Sequence, residues 1–268
     1  ITYFDGDVAY MESGEQAEVV TALTIEMKLD DRERFRWSPS FEILNPADYA
    51  PSAAMEVAVA DLDSKLDAEL STVIGTTAVE MNTTRPFIRQ KETTFGNMLA
   101  DAMREAMGAD VALTNGGGIR AKKVYAPGTE LTAGDIFAEL PFGNKTVLLE
   151  MSGADIVASL ENGVSRHADV NGRWPHVSGI SMMVDLAAEA GSRVSEVMIG
   201  GEAVVANKMY TLATNDFLAR GGDGYDAFGS AKVLVSGDMS VLMASQLVDY
   251  IAAKGEVAPA IDGRVTIK

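Results

Sequence analysis

The chain has 268 residues, 47% of them hydrophobic and 23% charged, a length and composition that bury a substantial core and exclude a disordered, collagen-like or coiled-coil polypeptide. Its 22 Lys and Arg against 39 Asp and Glu leave a formal charge of -17; that field repels nucleic acid and anionic membranes, so a phosphate-bearing ligand needs a local cationic pocket. With no cysteine and two histidines, a disulfide, a thiolate nucleophile, a zinc finger and a His-rich metal centre built from this chain are excluded.

In chain order, Leu23, Ile25, Met27 and Leu29 alternate with Thr24, Glu26 and Lys28, the period-2 pattern of a half-buried strand. Asp30 and Asp31 turn the chain, and Phe35, Trp37, Phe41 and Ile43 predict a return strand interrupted at Pro39. Residues 1–50 thus read as a β-rich piece too small to fold alone. After Pro46 and Pro51, Val59, Leu62, Leu66, Leu70 and Val73 recur at helical spacing up to Gly75, predicting a long amphipathic linker helix within 51–75 with a solvated acidic outer face. From residue 76 helices and strands mix. A helix stripe runs from Phe95 to Met107 and stops at Gly108; 110–114 is a short buried strand; Thr132 and Asp135 cap a short helix. A strand at 146–151 precedes a helix striped by Ile156, Val157, Leu160 and Val164. Strands follow at 179–185, 194–199 and 208–214, with Gly200 and Gly201 turning a hairpin, then a helix at 239–254 and a strand at 264–268. Strands joined partly by hairpins and partly through helices predict an α+β domain of mixed sheets over 76–268. No apolar run approaches the ~20 residues of a membrane span, and the charged start lacks a signal-peptide core. The chain begins without Met, which leaves room for a removed targeting segment.

Five segments could carry chemistry. Thr114-Asn-Gly-Gly-Gly-Ile-Arg120 follows a strand; its glycines let backbone approach a ligand, Asn115 offers a donor and an acceptor, and Arg120 offers a fork for phosphate or carboxylate. It has neither Walker nor dinucleotide spacing, and a plain turn with a surface Arg explains it equally well. Asn215-Asp-Phe-Leu-Ala-Arg-Gly-Gly-Asp-Gly-Tyr225 puts Phe217 and Asp223 after another strand; either Phe217 plugs the core and Asp223 caps a turn, or the two face a ligand. Leu140-Pro-Phe-Gly-Asn-Lys145 offers a second loop aromatic, Phe142, beside Asn144, and the pair would suit a planar heterocycle. Gly172-Arg-Trp-Pro-His-Val-Ser-Gly179 is a fourth loop, whose His176 either titrates near neutrality or is structural. Arg85 and Arg89 precede Glu92 and the Phe95 helix, where they meet an anion or pair with surface carboxylates.

The set Arg89-x-x-Glu92-x-x-Phe-Gly-Asn97, TNGGGIR, LPFGN, GRWPHVSG and NDFLARGGDGY, in this order, resembles the C-terminal substrate-binding domain of the 5'-nucleotidase and UDP-sugar hydrolase family over residues 76–268. The resemblance implies that residues 1–50 are the end of an N-terminal metallophosphoesterase domain, that 51–75 is the interdomain linker, and that this chain is the substrate-recognition half of a hydrolase. It implies that Phe142 and Phe217 sandwich a base, Asn144 reads its edge, Asp223 accepts from ribose hydroxyls, Arg89 and Arg120 hold the phosphate side with Asn115 assisting, and Gly172 lines the pocket. No residue of this chain is implied to be catalytic or to bind metal. The two divalent ions, their Asp, His and Asn ligands and the partner domain belong to the part whose DxH, NGNH and GHxH motifs are absent here, so the chain alone is expected to be inactive. A periplasmic, cell-surface or extracellular location is implied, with no nucleic-acid partner. Thr94 and Phe95 depart from the Asn and the Leu or Met usual in the family. Phe217 and Asp223 favour the 5'-nucleotidase branch over the 2',3'-cyclic phosphodiesterase branch, and a stand-alone secreted nucleoside-binding module is the reading from another class.

Overall fold

The computed structural model describes residues 2–13 and 18–268; residue 1 and residues 14–17 of the expected β-rich segment lie outside them. The chain divides into two compact units, residues 1–65 and 66–268. The first contains β1 (Thr2–Phe4), β2 (Ala9–Met11), β3 (Val20–Leu29), β4 (Phe35–Leu44) and most of helix α1 (Ala53–Leu70). β3 and β4 pair antiparallel without a break from Val20↔Leu44 to Leu29↔Phe35, around a turn in which Asp30 Oδ1 accepts the N–H groups of Arg32 and Arg34. Contrary to expectation, Pro39 does not interrupt β4. It sits opposite Ile25, and in a two-stranded ribbon each strand is an edge, where a residue lacking N–H is tolerated.

The helix expected to reach Val73 ends at Leu70. Val73 and Gly75 belong instead to β5 (Val73–Thr77), where Val73 pairs with Thr132 and Gly75 with Leu131. The β-branched run Val73, Ile74, Thr76, Thr77 favours extended backbone. Gly75 is needed because a Cβ there would lie 2.6 Å from the Gly255 carbonyl oxygen.

The second unit continues with β6 (Met81–Asn82), α2 (Arg85–Ile88), α3 (Thr94–Met107), β7 (Val111–Asn115), β8 (Val124–Tyr125), β9 (Glu130–Thr132), α4 (Ala133–Glu139), β10 (Thr146–Ser152) and α5 (Gly153–Val164). Next come β11 (Pro175–Ser178), β12 (Ile180–Val184), β13 (Val194–Ile199), β14 (Glu202–Ala203), β15 (Met209–Asn215), α6 (Asp216–Ala219), β16 (Lys232–Val235), α7 (Met243–Lys254), β17 (Glu256–Val257) and β18 (Val265–Ile267). This is the expected α+β architecture of mixed sheets flanked by helices. The helix ends follow their caps: Thr93 Oγ1 accepts from the Gly96 N–H to open α3, Gly108 closes it at φ 58°, and Thr132 with Asp135 forms a reciprocal capping box on α4.

The central sheet has the order β11-β7-β15-β10-β16. Side chains on successive residues point to opposite faces: Val111, Leu113, Val147, Leu149 and Leu212 enter one buried core, while Ala112 and Ala213 enter the other. The small alanines lie where α3 packs on β7 and β15. The expected Gly172–Gly179 loop is corrected here. Pro175–Ser178 is edge strand β11, paired with β7 from Pro175↔Asn115 to Ser178↔Ala112, and proline is tolerated as the first residue of an edge strand.

The topology fixes where the motif loops emerge. β7 and β15 are parallel, so their C-terminal residues Asn115 and Asn215 lie at the same edge of the sheet. β11 and β10 run antiparallel to them and begin there, with Pro175 opposite Asn115 and Thr146 opposite Asn215. Four segments far apart in sequence therefore meet at one sheet edge.

Candidate functional site

Arg89, Asn115, Arg120, Phe142, Asn144, Gly172, Phe217 and Asp223 line one cavity of about 410 Å³, together with Gly117, Gly118 and Asn171. All eight residues expected from sequence are thus brought together; Arg85 is exposed on α2 and does not line the cavity. Gly117 and Gly118 belong to the glycine turn expected to let backbone approach a ligand, whereas sequence reasoning missed Asn171, for which the Asn171-Gly172 dipeptide was a signal.

The triple-glycine turn is stitched to the loop before β11. The Gly117 N–H donates to the Gly172 carbonyl at 2.7 Å and the Gly116 N–H to the Trp174 carbonyl at 2.8 Å. A Cβ on Gly117 would lie 3.0 Å from Gly172 Cα and from Asn115 Nδ2, so backbone itself forms this wall.

Phe142 and Phe217 are 57% and 40% exposed, which decides against Phe217 as a core plug. The two rings line the same cavity, which sets them apart from singly scattered exposed side chains. A Cβ on Gly222 would come within 2.5 Å of the Phe217 ring, so that glycine serves as its backing. The two aromatic loops are tied by Asp216, whose Oδ1 accepts the Lys145 N–H at 3.1 Å and whose N–H donates to the Lys145 carbonyl at 2.9 Å. The Arg120 guanidinium stands 5.2 Å from the centre of the Phe142 ring. A second, more apolar cavity of about 400 Å³ shares Gly118, Phe142 and Asn144 and continues over Phe137, Leu140 and Met243.

Arg85, Arg89 and Arg120 make no salt bridge among the described residues, in a chain with a large excess of carboxylates. Burial, then the charges of Arg85 and Arg120, draws the Arg89 guanidinium below its ordinary pKa, with Asp223 acting in the opposite sense. The Arg89 Nε is buried without a hydrogen-bond partner. Cations held close together and unpaired form a site for an anion, because a phosphate relieves their repulsion and accepts charge-assisted hydrogen bonds. Asp223 adopts a left-handed backbone, φ 54°, and its Oδ2 accepts from Asn115 Nδ2 at 2.7 Å. The amide expected to assist the phosphate is therefore engaged with the carboxylate.

The strand carrying His176 clamps the segment that carries Arg89. His176 Nε2 lies 2.9 Å from the Ile88 carbonyl, Trp174 Nε1 donates to the Lys91 carbonyl at 3.0 Å, and Gln90 and His167 bond reciprocally. Complete burial pushes the His176 pKa down to about 4, so it is the neutral structural histidine and not a group titrating near neutrality. The Arg89-x-x-Glu92 motif divides between two tasks. Arg89 faces the cavity, whereas the Glu92 carboxylate accepts from Asn97 Nδ2 and from the N–H groups of Asp262 and Val265, binding α3 to the segment that ends in β18. Thr94 and Phe95 serve packing: Phe95 is fully buried and Thr94 Oγ1 donates to the Glu80 carbonyl. Among the described residues no group of three or more His, Cys, Asp and Glu could hold a metal ion. The cavity offers one carboxylate, Asp223, and no histidine; this donor set does not fit a pair of divalent ions.

The family profile described as 5'-nucleotidase, C-terminal domain, matches residues 73–230. The chain is 35% identical over 202 residues to the trifunctional nucleotide phosphoesterase protein YfkN of Bacillus subtilis, covering 72% of this chain and 14% of that protein. It is 30% identical over 282 residues to a snake venom 5'-nucleotidase of Crotalus adamanteus, covering 95% of this chain and 47% of the relative. The crystal structure of a 5'-nucleotidase precursor from Thermus thermophilus superimposes with a TM-score of 0.71 at 28% identity, covering 97% of this chain and 52% of that one. The chain thus spans about half or less of the length of these relatives. The matched region contains the whole cavity lining, and with it the chain belongs to the 5'-nucleotidase C-terminal domain family.

Proposed function

We propose that this domain binds the nucleoside 5'-phosphate substrate of a phosphoric ester hydrolase. Phe142 and Phe217 stack on the base, Asn144 addresses the base edge, Asp223 accepts from the ribose, and Arg89 and Arg120 hold the phosphate. The observation that carries the reading is that residues of all five motifs line a single cavity, with unpaired arginines beside exposed aromatic rings. Stacking is sequence-tolerant because every base offers a π-face, so the site admits more than one base, and UDP-sugars fit the same chemistry.

The hydrolytic step is assigned to a metallophosphoesterase domain of which residues 1–50 are the terminal piece, joined to the substrate-binding domain by the linker 51–75. Two divalent ions there would activate the attacking water and stabilise the developing charge. The relatives' greater length supports this division. Among the described residues no helix is long and apolar enough to cross a membrane, and by analogy with relatives the working place is the periplasm, the cell surface or the exterior.

Calorimetric titration with AMP and adenosine tests the reading. Saturable binding of both is expected, with Arg120→Ala weakening AMP more than adenosine, and with no phosphate released from AMP in the presence of divalent metal. Equal losses for the two ligands remove Arg120 from the phosphate side. Sustained turnover by this chain overturns the assignment of catalysis to another domain.

A further inference from the structure

In the sequence Asn215 is no more than the first residue of its motif. It is completely buried and does not line the cavity, yet its amide touches both halves of the site. Its Oδ1 accepts the Leu218 N–H at 2.9 Å, capping helix α6, which carries Phe217. Its Nδ2 donates to Thr114 Oγ1 at 3.1 Å and to Asn115 Oδ1 at 3.2 Å. Asn115 in turn donates from Nδ2 to Asp223 Oδ2 at 2.7 Å.

The direction of this chain is fixed at both ends, by the Leu218 N–H, which only donates, and by the Asp223 carboxylate, which only accepts. A backbone N–H only donates, so the atom of Asn215 facing Leu218 must be its oxygen, and its nitrogen must face Asn115. Asn115 then presents its oxygen to Asn215 and its nitrogen to Asp223. An amide standing free between two partners could adopt either orientation, and in the reversed one its oxygen would oppose the carboxylate. The remaining oxygen, Asp223 Oδ1, has no hydrogen bond among the described residues, and the Asp223 backbone is held by Asn162 Nδ2 donating to its carbonyl at 3.2 Å. We infer that Asn215 is a positioning residue for substrate recognition: by donating to Asn115 Oδ1 it anchors the Asn115 amide from the side opposite Asp223, and so holds Asp223 with its Oδ1 presented to a ribose hydroxyl.

The inference rests on the nucleoside reading given above, and its test separates the two. Adenosine and 2',3'-dideoxyadenosine are titrated against the chain, against Asn215→Asp and against Asn215→Ser, with a thermal melt of each. Both replacements keep a side-chain oxygen for the helix cap. Asn215→Asp sets a second acceptor against Asp223 in competition for the Asn115 nitrogen, and Asn215→Ser, too short to reach Asn115, leaves its amide anchored from one side only. The unaltered chain is expected to prefer adenosine by roughly tenfold or more, the range of a hydrogen bond to a charged group. In both variants that preference falls towards one, while dideoxyadenosine affinity, carried by stacking, stays within about twofold. Equal weakening of both ligands marks a purely structural role and overturns the inference, as does failure of both variants to fold. If the unaltered chain binds adenosine without preferring it, Asp223 is not on the ribose and the inference falls while the nucleoside reading stands. If it does not bind adenosine, both fall.

Discussion

The two units of the chain handle apolar surface in opposite ways. In residues 1–65 no described residue is buried; Phe35, Ile43 and Leu29 are at least 60% exposed, and α1 buries nothing along its length. In residues 66–268 the central sheet is buried on both faces by separate cores, one reached by Val111, Leu113 and Leu149, the other by Ala112 and Ala213. The candidate site sits on the edge of the second kind of structure. Loops that must hold rings, amides and cations at fixed separations need a close-packed support, because a loose one spreads its binding groups over many arrangements. A hairpin and a helix with no interior of their own supply no such support.

Substitutions can break this contrast. Trp174→Ala, which empties a buried site and frees the Lys91 carbonyl, is expected to lower the unfolding free energy by about 3–5 kcal/mol. Phe35→Ala, exposed in the first unit, should change it by no more than about 0.5 kcal/mol; denaturant midpoints of the two decide. Next in size is a pH effect. His176 has a folded pKa of about 4 against an ordinary 6.5, so the unfolded chain takes up a proton that the native chain refuses. Its contribution is intact above pH 6.5 and is lost as pH falls from there to about 4, a change of about 3 kcal/mol at most. The difference in stability between the unaltered chain and His176→Asn should shrink across that interval, and a constant difference would show that the His176 pKa is the same in the folded and unfolded chains.

Smaller effects sharpen the contrast between support and site. Phe142→Ala and Phe217→Ala should each weaken adenosine binding by about 1–3 kcal/mol, and Phe142→Ala should leave the melting midpoint nearly unchanged because its ring is mostly in water. Unaltered affinity in either variant removes that ring from the base. Lys65→Ala, which deletes the exposed Lys65–Asp61 pair of α1, should leave both stability and ligand binding without measurable change.

Much of the site is legible in the sequence because its groups lie in short motifs with distinctive chemistry. Taken singly, the loops leave Arg120 readable as a surface residue and Phe217 as a core plug; it is the order of the five motifs, resembling one family, that singles out Phe142, Phe217, Arg120 and Asp223. What escapes a local reading are residues whose task depends on distant neighbours. The residues around His176 and Trp174 read locally as a loop, but pairing with β7 converts the segment into a strand that clamps the backbone beside Arg89. Val73 and Gly75 fit a helical stripe, and only pairing with β9 makes them strand. The family resemblance puts Asn115 on the phosphate, and only the position of Asp223 shows where its amide is spent.

The alternation of strands and helices, the helix ends at Gly108 and Thr132, the excess of negative charge and the identity of the motif residues are readable along the chain. All of these depend on neighbours a few positions away or on composition. Which motifs share a cavity, the backing of Phe217 by Gly222, and the way the Asn115 amide points emerge only in the folded chain. Those outcomes depend on strand order and register, which bring Asn115, Asn215, Pro175 and Thr146 to one edge across separations of up to about a hundred residues. No local propensity encodes that meeting, because a hydrogen bond between distant residues exists only once the sheet has placed both partners.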